Sequence, residues 1–233
     1  LKGLDLGGLK IMNIDNTFVD KLKQANVSLD LKNATPEERS QQAKSMAAAN
    51  KEFKGELQSV IDGKQSFILD GTAASYNNTA KLKAELEEAG YDVFMLYVYT
   101  DLERSLSQNQ DRYKKSGGED RSLAPAIVMS TWKSVTQNLP KYAELFGNNF
   151  VAVANTLDDR MQDIDKIIKK YLTPFDPQGT KPKTPKEQAK SDARKAKDKE
   201  EIQIMLSDDF VYDVIEYTMS KEEAQMRLQK FLK

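Results

Sequence analysis

The chain has 233 residues, which is enough for one sizeable α/β domain with an appendage. Its formal net charge of −1 gives the whole molecule no strong attraction to nucleic acid or anionic lipid. The sequence contains no Cys and no His, which excludes disulfides, thiolate nucleophiles, histidine bases and metal sites built from either residue. Any chemistry must therefore use carboxylates, Lys, Arg, hydroxyl groups or a hard cation such as Mg²⁺.

Four apolar runs, each followed by a polar residue, are predicted as strands. In chain order they are Lys10–Ile14 before Asp15, Ser66–Leu69 before Asp70, Val93–Tyr99 before Thr100 and Asp101, and Phe150–Ala154 before Asn155. The third run is apolar or aromatic throughout, which is typical of a strand that is covered on both faces of a parallel sheet.

Helical patterns lie between these strands. Thr35-Pro36-Glu37-Glu38 is a strong helix start, and that helix is predicted to extend to about Val60. Further helices are predicted at about Asn78–Ala89, Leu102–Arg112, Ala124–Gln137, Lys141–Leu145 and Leu157–Leu172. Because strands alternate with helices, the sequence predicts an α/β fold in which a mostly parallel sheet is flanked by helices.

The composition changes after Leu172, and three regions are predicted. Residues 1–172 form the α/β core, residues 173–200 a Pro- and Lys-rich linker running into a charged helix, and residues 201–233 a helical tail. Ser220 and Glu223 form a capping box in the tail. The basic linker could contact nucleic acid, but its interleaved acids favour a solvated segment, and the tail is a candidate docking module for a protein partner.

The polar residues at the strand ends are candidate site residues, because ligands of doubly wound sheets bind beyond the carboxyl ends of the strands. Asp is also a favoured helix N-cap, and capping alone is the favoured explanation for Asp101 and Asn155. For Asp15 and Asp70 both explanations remain open. Asp70-Gly71-Thr72 combines an acid, a flexible glycine and a hydroxyl, which suits a phosphate or Mg²⁺ site.

Basic residues after the third strand form a second group. Arg104 and Arg112 share one helix face, and Gly117-Gly118 gives the segment before Arg121 a hinge. Arginines on a mobile segment over a strand-end cleft suit a phosphoryl-transfer lid, because guanidinium groups neutralise the charge of the transition state. The alternative is a solvated, charged helix and loop, which composition alone favours.

Five motifs occur in the order NIDNTF, FILDGT, LEEAGYDVFMLYVYTDLERSLSQNQDR, a Gly-Gly segment with Arg121 and Pro125, and FGNNFVAVAN. Together they resemble the zeta-toxin and polynucleotide-kinase-like group of P-loop kinases, and more closely the zeta-toxin-like proteins of tailed bacteriophages. The resemblance covers about residues 9–172. It implies an ATP- and Mg²⁺-dependent phosphotransferase that acts on a hydroxyl of a small molecule, a sugar nucleotide or a nucleic-acid end.

The resemblance also implies roles for single residues. Asp15 corresponds to the general base that activates the phosphoryl acceptor, and Asp70 to the Walker-B-like acid that holds Mg²⁺, with Thr72 beside it. The lid arginines and the last strand complete the nucleotide site. Arg112 and Arg121 correspond to lid residues on the nucleotide phosphates, and Asn155 to the asparagine on the adenine side.

One motif of that group is missing. The sequence has no GxxxxGK[ST], whose backbone amides and Lys hold the β- and γ-phosphates. Gly3–Lys10 (GLDLGGLK) is only a near match, because Lys10 stands one residue late and no Ser or Thr follows. We expect the P-loop strand and helix to precede Leu1; the alternative is a degenerate relative that does not bind ATP.

Two rival functions follow from these observations. The first is a non-catalytic, phage-associated binding or structural protein that retains a kinase scaffold. The second, a hydrolase that uses only Asp15 and Asp70, lacks any motif that would position a nucleophile. No apolar run approaches the ~20 residues that span a bilayer, so we expect a cytoplasmic protein without membrane contact, in the host cytoplasm if it is phage-encoded.

Overall fold

The computed structural model describes residues 9–155, 184–205 and 217–231. The strands in these ranges are β1 (Lys10–Met12), β2 (Phe67–Leu69), β3 (Met95–Tyr99), β4 (Phe150–Ala154) and β5 (Thr218–Met219). The α-helices are α1 (Ile14–Gln24), α2 (Pro36–Asp62), α3 (Tyr76–Glu88), α4 (Leu102–Lys115), α5 (Pro125–Phe146), α6 (Pro185–Met205) and α7 (Lys221–Phe231). Short 3-10 turns occupy Leu31–Asn33 and Gly147–Asn149.

All described strand pairs are parallel, and they form two sheets. One sheet pairs β1 with β2, and the other has the order β3-β4-β5. The predicted parallel α/β architecture is therefore confirmed. Within the described residues, β2 and β3 each have one edge that pairs with no strand.

Helices α1 and α2 pack against each other in the half of the molecule that contains the first sheet. Their shared cluster consists of Phe18, Leu22, Val27, Leu29 and Ala49. The helix start predicted at Thr35-Pro36-Glu37-Glu38 is present, and Thr35 and Glu38 form a full capping box there. Most of this 27-residue helix is exposed, with three buried residues along its length.

The second sheet is more fully buried than the first. Strand β4 is buried along almost its whole length, and α5 packs against β3 and β4. The cluster between them is aromatic-rich, with Tyr97, Tyr99, Leu139, Tyr142, Phe146 and Phe150. Trp132 is buried and donates its indole N–H to the Thr100 carbonyl at 2.8 Å.

The C-terminal part packs onto this second half. Ile202 and Met205 of α6 join a cluster with Leu102, Leu106, Met129 and Trp132, and Ala224 of α7 packs against β4. Ser220 accepts a hydrogen bond from the Glu223 backbone, as the predicted cap requires. Strand β5 extends the sheet in a region predicted only as helical. The boundaries of the three predicted regions stay predictions.

Two helix predictions differ from the structure. The separate helices predicted on either side of Leu139 are one helix, α5, which continues through Pro140. Proline there removes one backbone donor, and burial of the surrounding apolar face keeps the helix intact. Helix α1 was predicted only as a helical pattern without bounds, and its first residue, Ile14, was assigned to the first strand. The helix predicted at Leu157–Leu172 lies outside the described residues.

Candidate functional site

The register of the first sheet brings Asn13 and Asp70 together. Met12 pairs with Leu69, and the Asp70 backbone N–H donates to the Met12 carbonyl at 2.8 Å. The residues that follow these two strands, Asn13 and Asp70, therefore lie at the same edge of the sheet, the carboxyl edge. There the Asn13 Nδ2 donates to Asp70 Oδ2 at 2.8 Å.

Asn13 also determines where Asp15 lies. It is the N-cap of α1, with extended backbone, and its Oδ1 accepts from the Asp15 backbone N–H at 2.7 Å. Asp15 is consequently in the first turn of the helix, where the helix dipole favours a negative charge. Strand β1 ends at Met12, two residues before the predicted end, and this earlier end creates the cap.

Arg121 completes the cluster from a distant part of the chain. Its guanidinium forms an ion pair with the Asp15 carboxylate and lies 5.7 Å from the centroid of the Phe18 ring. The Arg121 side chain is only 11% exposed, whereas that of Asp15 is 39% exposed. The Arg121 side chain is therefore largely buried, whereas the Asp15 carboxylate is partly accessible to solvent.

Hydrogen bonds around Arg121 fix the segment that carries it. The Asn109 side chain accepts from the Leu123 backbone N–H at 3.1 Å and donates to the Leu123 carbonyl at 2.9 Å. Ser122 bonds to the Leu29 carbonyl through its N–H and to Asp30 Oδ1 through its hydroxyl, at 3.0 and 2.7 Å. Arg121 thus stands on an anchored segment, although Gly117 and Gly118 both have positive φ.

The loop after Asp70 is tied to α5. The Tyr142 hydroxyl donates to the Ala73 carbonyl at 2.6 Å, and the Asn138 side chain donates to the Ala74 carbonyl at 3.1 Å. Ala73 has a φ of 49°, a left-handed conformation that is uncommon for a residue with a Cβ. Contacts to the second half of the molecule therefore hold the Asp70 loop in a strained shape.

The other predicted site residues lie apart from this cluster. Arg112 pairs with Asp120 at 3.7 Å and is largely exposed. Thr72 is exposed beyond Asp70. Asn155 ends β4 beside β3, its backbone N–H donating to the Tyr99 carbonyl at 2.7 Å.

Asp101 is a buried N-cap of α4 that accepts from the Arg104 backbone N–H, as the capping explanation predicts. Burial, and secondarily the charge of Asp101, raise the pKa of Tyr99 to about 12. Burial raises the pKa of Tyr97 still further. Both tyrosine side chains are thus protonated and uncharged at physiological pH, as suits their position in the core.

The donor set at Asp70 suits Mg²⁺ with few protein ligands. No group of three or more Asp and Glu that could hold a metal ion occurs within residues 9–155, 184–205 and 217–231. Mg²⁺ commonly keeps several waters and binds one or two carboxylates together with substrate phosphates. One exposed carboxylate fits that mode, whereas a cation cage built from protein ligands alone does not.

The sequence predictions named Asp15, Asp70 and Arg121, which the structure brings together, but they did not name Asn13, Asn109 or Ser122, whose hydrogen bonds hold this cluster. The signal for Asn13 was the sequence Asn-x-Asp at a strand end, which places an N-cap two residues before an acid. This signal was overlooked because the first strand was predicted to extend to Ile14, past Asn13. No local signal marks Asn109 or Ser122, because their partners lie far away in the sequence.

A family model described as zeta toxin matches residues 29–169. The matched range includes Asp70, Arg112, Arg121 and Asn155, and it begins after Asn13 and Asp15. No curated protein and no solved structure matches the chain. None of the described helices is both long enough and apolar enough to pass through a bilayer.

Proposed function

The chain belongs to the zeta toxin family, and we propose that it is an ATP- and Mg²⁺-dependent phosphotransferase that acts on a hydroxyl group. The acceptor would be a small molecule, a sugar nucleotide or a nucleic-acid end. The observation that carries the proposal is the ion pair of Arg121 with Asp15, next to the Asn13–Asp70 hydrogen bond. It joins the lid arginine, the proposed base and the proposed metal-side acid at one edge of the fold.

Asp15 would be the general base. Its carboxylate faces solvent in the first turn of α1, where an acceptor hydroxyl can approach it. It would take the hydroxyl proton as the acceptor oxygen attacks the terminal phosphorus and the bond to the leaving diphosphate breaks. The family match begins after Asp15, so its role rests on its contacts with Asn13 and Arg121.

Asp70 would hold Mg²⁺ directly or through water, with Thr72 beside it. When bound, Mg²⁺ neutralises charge on the β- and γ-phosphates. Arg121 would orient Asp15 and place a positive charge near the transferring group. Arg112, now paired with Asp120, would contact the nucleotide phosphates from the lid, and Asn155 would border the adenine side.

The unpaired edges of β2 and β3 could accept the additional strand that would carry the phosphate-binding loop. A further parallel strand between them would join the two sheets into one. Its carboxyl end would then lie beside Asp70, where a GxxxxGK[ST] loop could face the acid. The Tyr142–Ala73 hydrogen bond already ties the end of β2 to the helix that packs on β3. No GxxxxGK[ST] occurs in the 233 residues, so the coding sequence before Leu1 is where this part of the proposal is tested.

The second candidate is a non-catalytic, phage-associated binding or structural protein that retains the kinase scaffold. One observation favours it, namely that no GxxxxGK[ST] occurs in the 233 residues. The coding sequence upstream of Leu1 separates the two candidates. If it encodes no such motif, the kinase proposal is rejected in favour of the scaffold.

The experiment uses a longer version of the protein that includes the upstream residues. Transfer of a labelled γ-phosphate to a panel of hydroxyl acceptors is measured with and without Mg²⁺. Asp70→Ala and Arg121→Ala should each lower the rate by about a hundredfold or more, because each removes charge stabilisation from the transition state. Lys81→Ala is the control, since Lys81 is exposed on α3, where it pairs with Glu85. If both site variants keep the wild-type rate, the assignment is wrong.

A further inference from the structure

The side chain of Asn13 contacts both parts of the site at once. Its Oδ1 accepts from the Asp15 backbone N–H at 2.7 Å, and its Nδ2 donates to Asp70 Oδ2 at 2.8 Å. A backbone N–H requires an acceptor oxygen, and a carboxylate oxygen requires a donor. Both partners therefore demand the same orientation of the carboxamide, which settles which end is oxygen and which is nitrogen.

We propose that Asn13 is a positioning residue that fixes Asp70 relative to the first turn of α1, so that Asp70 and Asp15 act as one site. The inference rests on the proposed phosphotransfer function for its catalytic meaning. Its structural content, a carboxamide shared between an acid and a helix cap, stands without that function.

The backbone makes this bridge rigid. Asp70 is bonded through its N–H to the Met12 carbonyl, one residue before Asn13, so the two side chains start from adjacent, hydrogen-bonded strands. Asn13 itself has extended backbone with φ −139° and ψ 116°, the usual geometry of an N-cap. Neither side chain has to cross a flexible loop to reach its partner.

The bridge also orients the Asp70 carboxylate. A hydrogen bond to Oδ2 holds the plane of the group and leaves Oδ1 without a hydrogen-bond or ion-pair partner among the described residues. An oxygen presented in this way suits monodentate binding of a hard cation. Arg121 forms an ion pair with the Asp15 carboxylate, so a side chain of this cluster contacts each of the two acids.

Few other side chains could replace Asn13. Asp and Ser are good N-caps and would keep the bond to the Asp15 N–H. An ionised Asp has no donor for Asp70 and would place two negative charges against each other, while the Ser side chain is one bond shorter and carries a single polar atom. Asn13→Asp therefore separates the two roles, because it keeps the cap and removes the bridge. Asn13→Ala removes both.

The first test uses NMR on the full chain without nucleotide. Asp70→Ala should shift the Asn13 carboxamide signals more than those of any other Asn. Amide hydrogen exchange of Asp15 should stay near the wild-type rate in Asn13→Asp and become faster in Asn13→Ala. An Asn13 carboxamide whose signals do not respond to Asp70→Ala would overturn the inference.

The second test measures phosphotransfer by the longer version of the protein. Asn13→Asp should lower kcat by about ten- to a hundredfold, as loss of a residue that orients a metal-side ligand does, with a smaller change in the acceptor KM. If Asn13→Asp keeps the wild-type kcat while Asn13→Ala loses it, Asn13 is only a helix cap and the inference is wrong. If the wild-type protein shows no transfer, the proposed function fails, and the NMR result alone decides the role of Asn13.

Discussion

The two sheets differ in how their strands are held. In the β3-β4-β5 half, Val151 and Ala152 are fully buried and α5 covers the sheet with Leu139 and Tyr142. In the β1-β2 half the strands have three residues each, and Ile11 is 54% exposed. The site lies on the less buried half and is fixed mainly by polar contacts. Hydrophobic burial thus holds the strands of the second sheet, while hydrogen bonds and the Arg121–Asp15 ion pair hold the candidate site residues at the carboxyl edge of the first sheet.

The largest effect on the free energy of unfolding is expected from a substitution that creates a cavity beside the second sheet. Leu139→Ala removes a fully buried side chain between α5 and the second sheet and should lower the free energy of unfolding by about 2–5 kcal/mol. Ile127→Ala is a matched control, because Ile127 lies on the same helix and is 53% exposed. Its expected change is within about 0.5 kcal/mol in chemical denaturation. Equal effects of the two variants would contradict the burial described for α5.

A second effect concerns alkaline pH. Because the pKa of Tyr99 is about 12 in the folded protein and 10.0 is its ordinary value, the unfolded state loses the proton first as pH rises. The contribution of Tyr99 to the free energy of unfolding is complete below pH 10 and is lost between pH 10 and 12, on the order of 3 kcal/mol in total. Tyr99→Phe should therefore show a flatter fall of unfolding free energy from pH 9 to 11.5. A parallel fall in both proteins would disprove the assignment.

Tyr142→Phe tests the link between the two halves. It removes the hydroxyl that donates to the Ala73 carbonyl, and the expected loss of stability is about 1–2 kcal/mol. Because Ala73 follows Asp70 in the same loop, amide exchange at residues 71–74 should accelerate more than in α5. Uniform acceleration along the chain would mean that the bond stabilises the fold without holding the loop.

The smallest effect is expected on the exposed face of the first sheet. Ile11→Thr keeps β-branching and changes an exposed side chain, so the free energy of unfolding should change by less than about 0.5 kcal/mol. Thermal unfolding of the 233-residue chain measures it. A loss above about 1 kcal/mol would show that this face is covered, and would break the contrast between the halves.

The success of the sequence predictions followed the strength of local patterns. The helix start at Thr35, the strand Phe150–Ala154 and the N-cap Asp101 were each predicted from neighbouring residues and are present. The break predicted near Pro140 was wrong, because the buried face of α5 outweighs the missing hydrogen bond. The first strand was predicted two residues too long, since Ile14 fits a strand pattern as well as a helix start.

The sequence by itself determined the α/β class, the zeta-toxin resemblance that the family match confirms, and the chemical types at the site. These properties depend on periodicity and on motifs that neighbouring residues carry. Only the tertiary structure decided that Arg121 reaches Asp15, that Tyr142 holds the Asp70 loop, and that Asn13 joins the two acids. Each of these contacts depends on strand register or helix packing between distant segments, which no local pattern encodes.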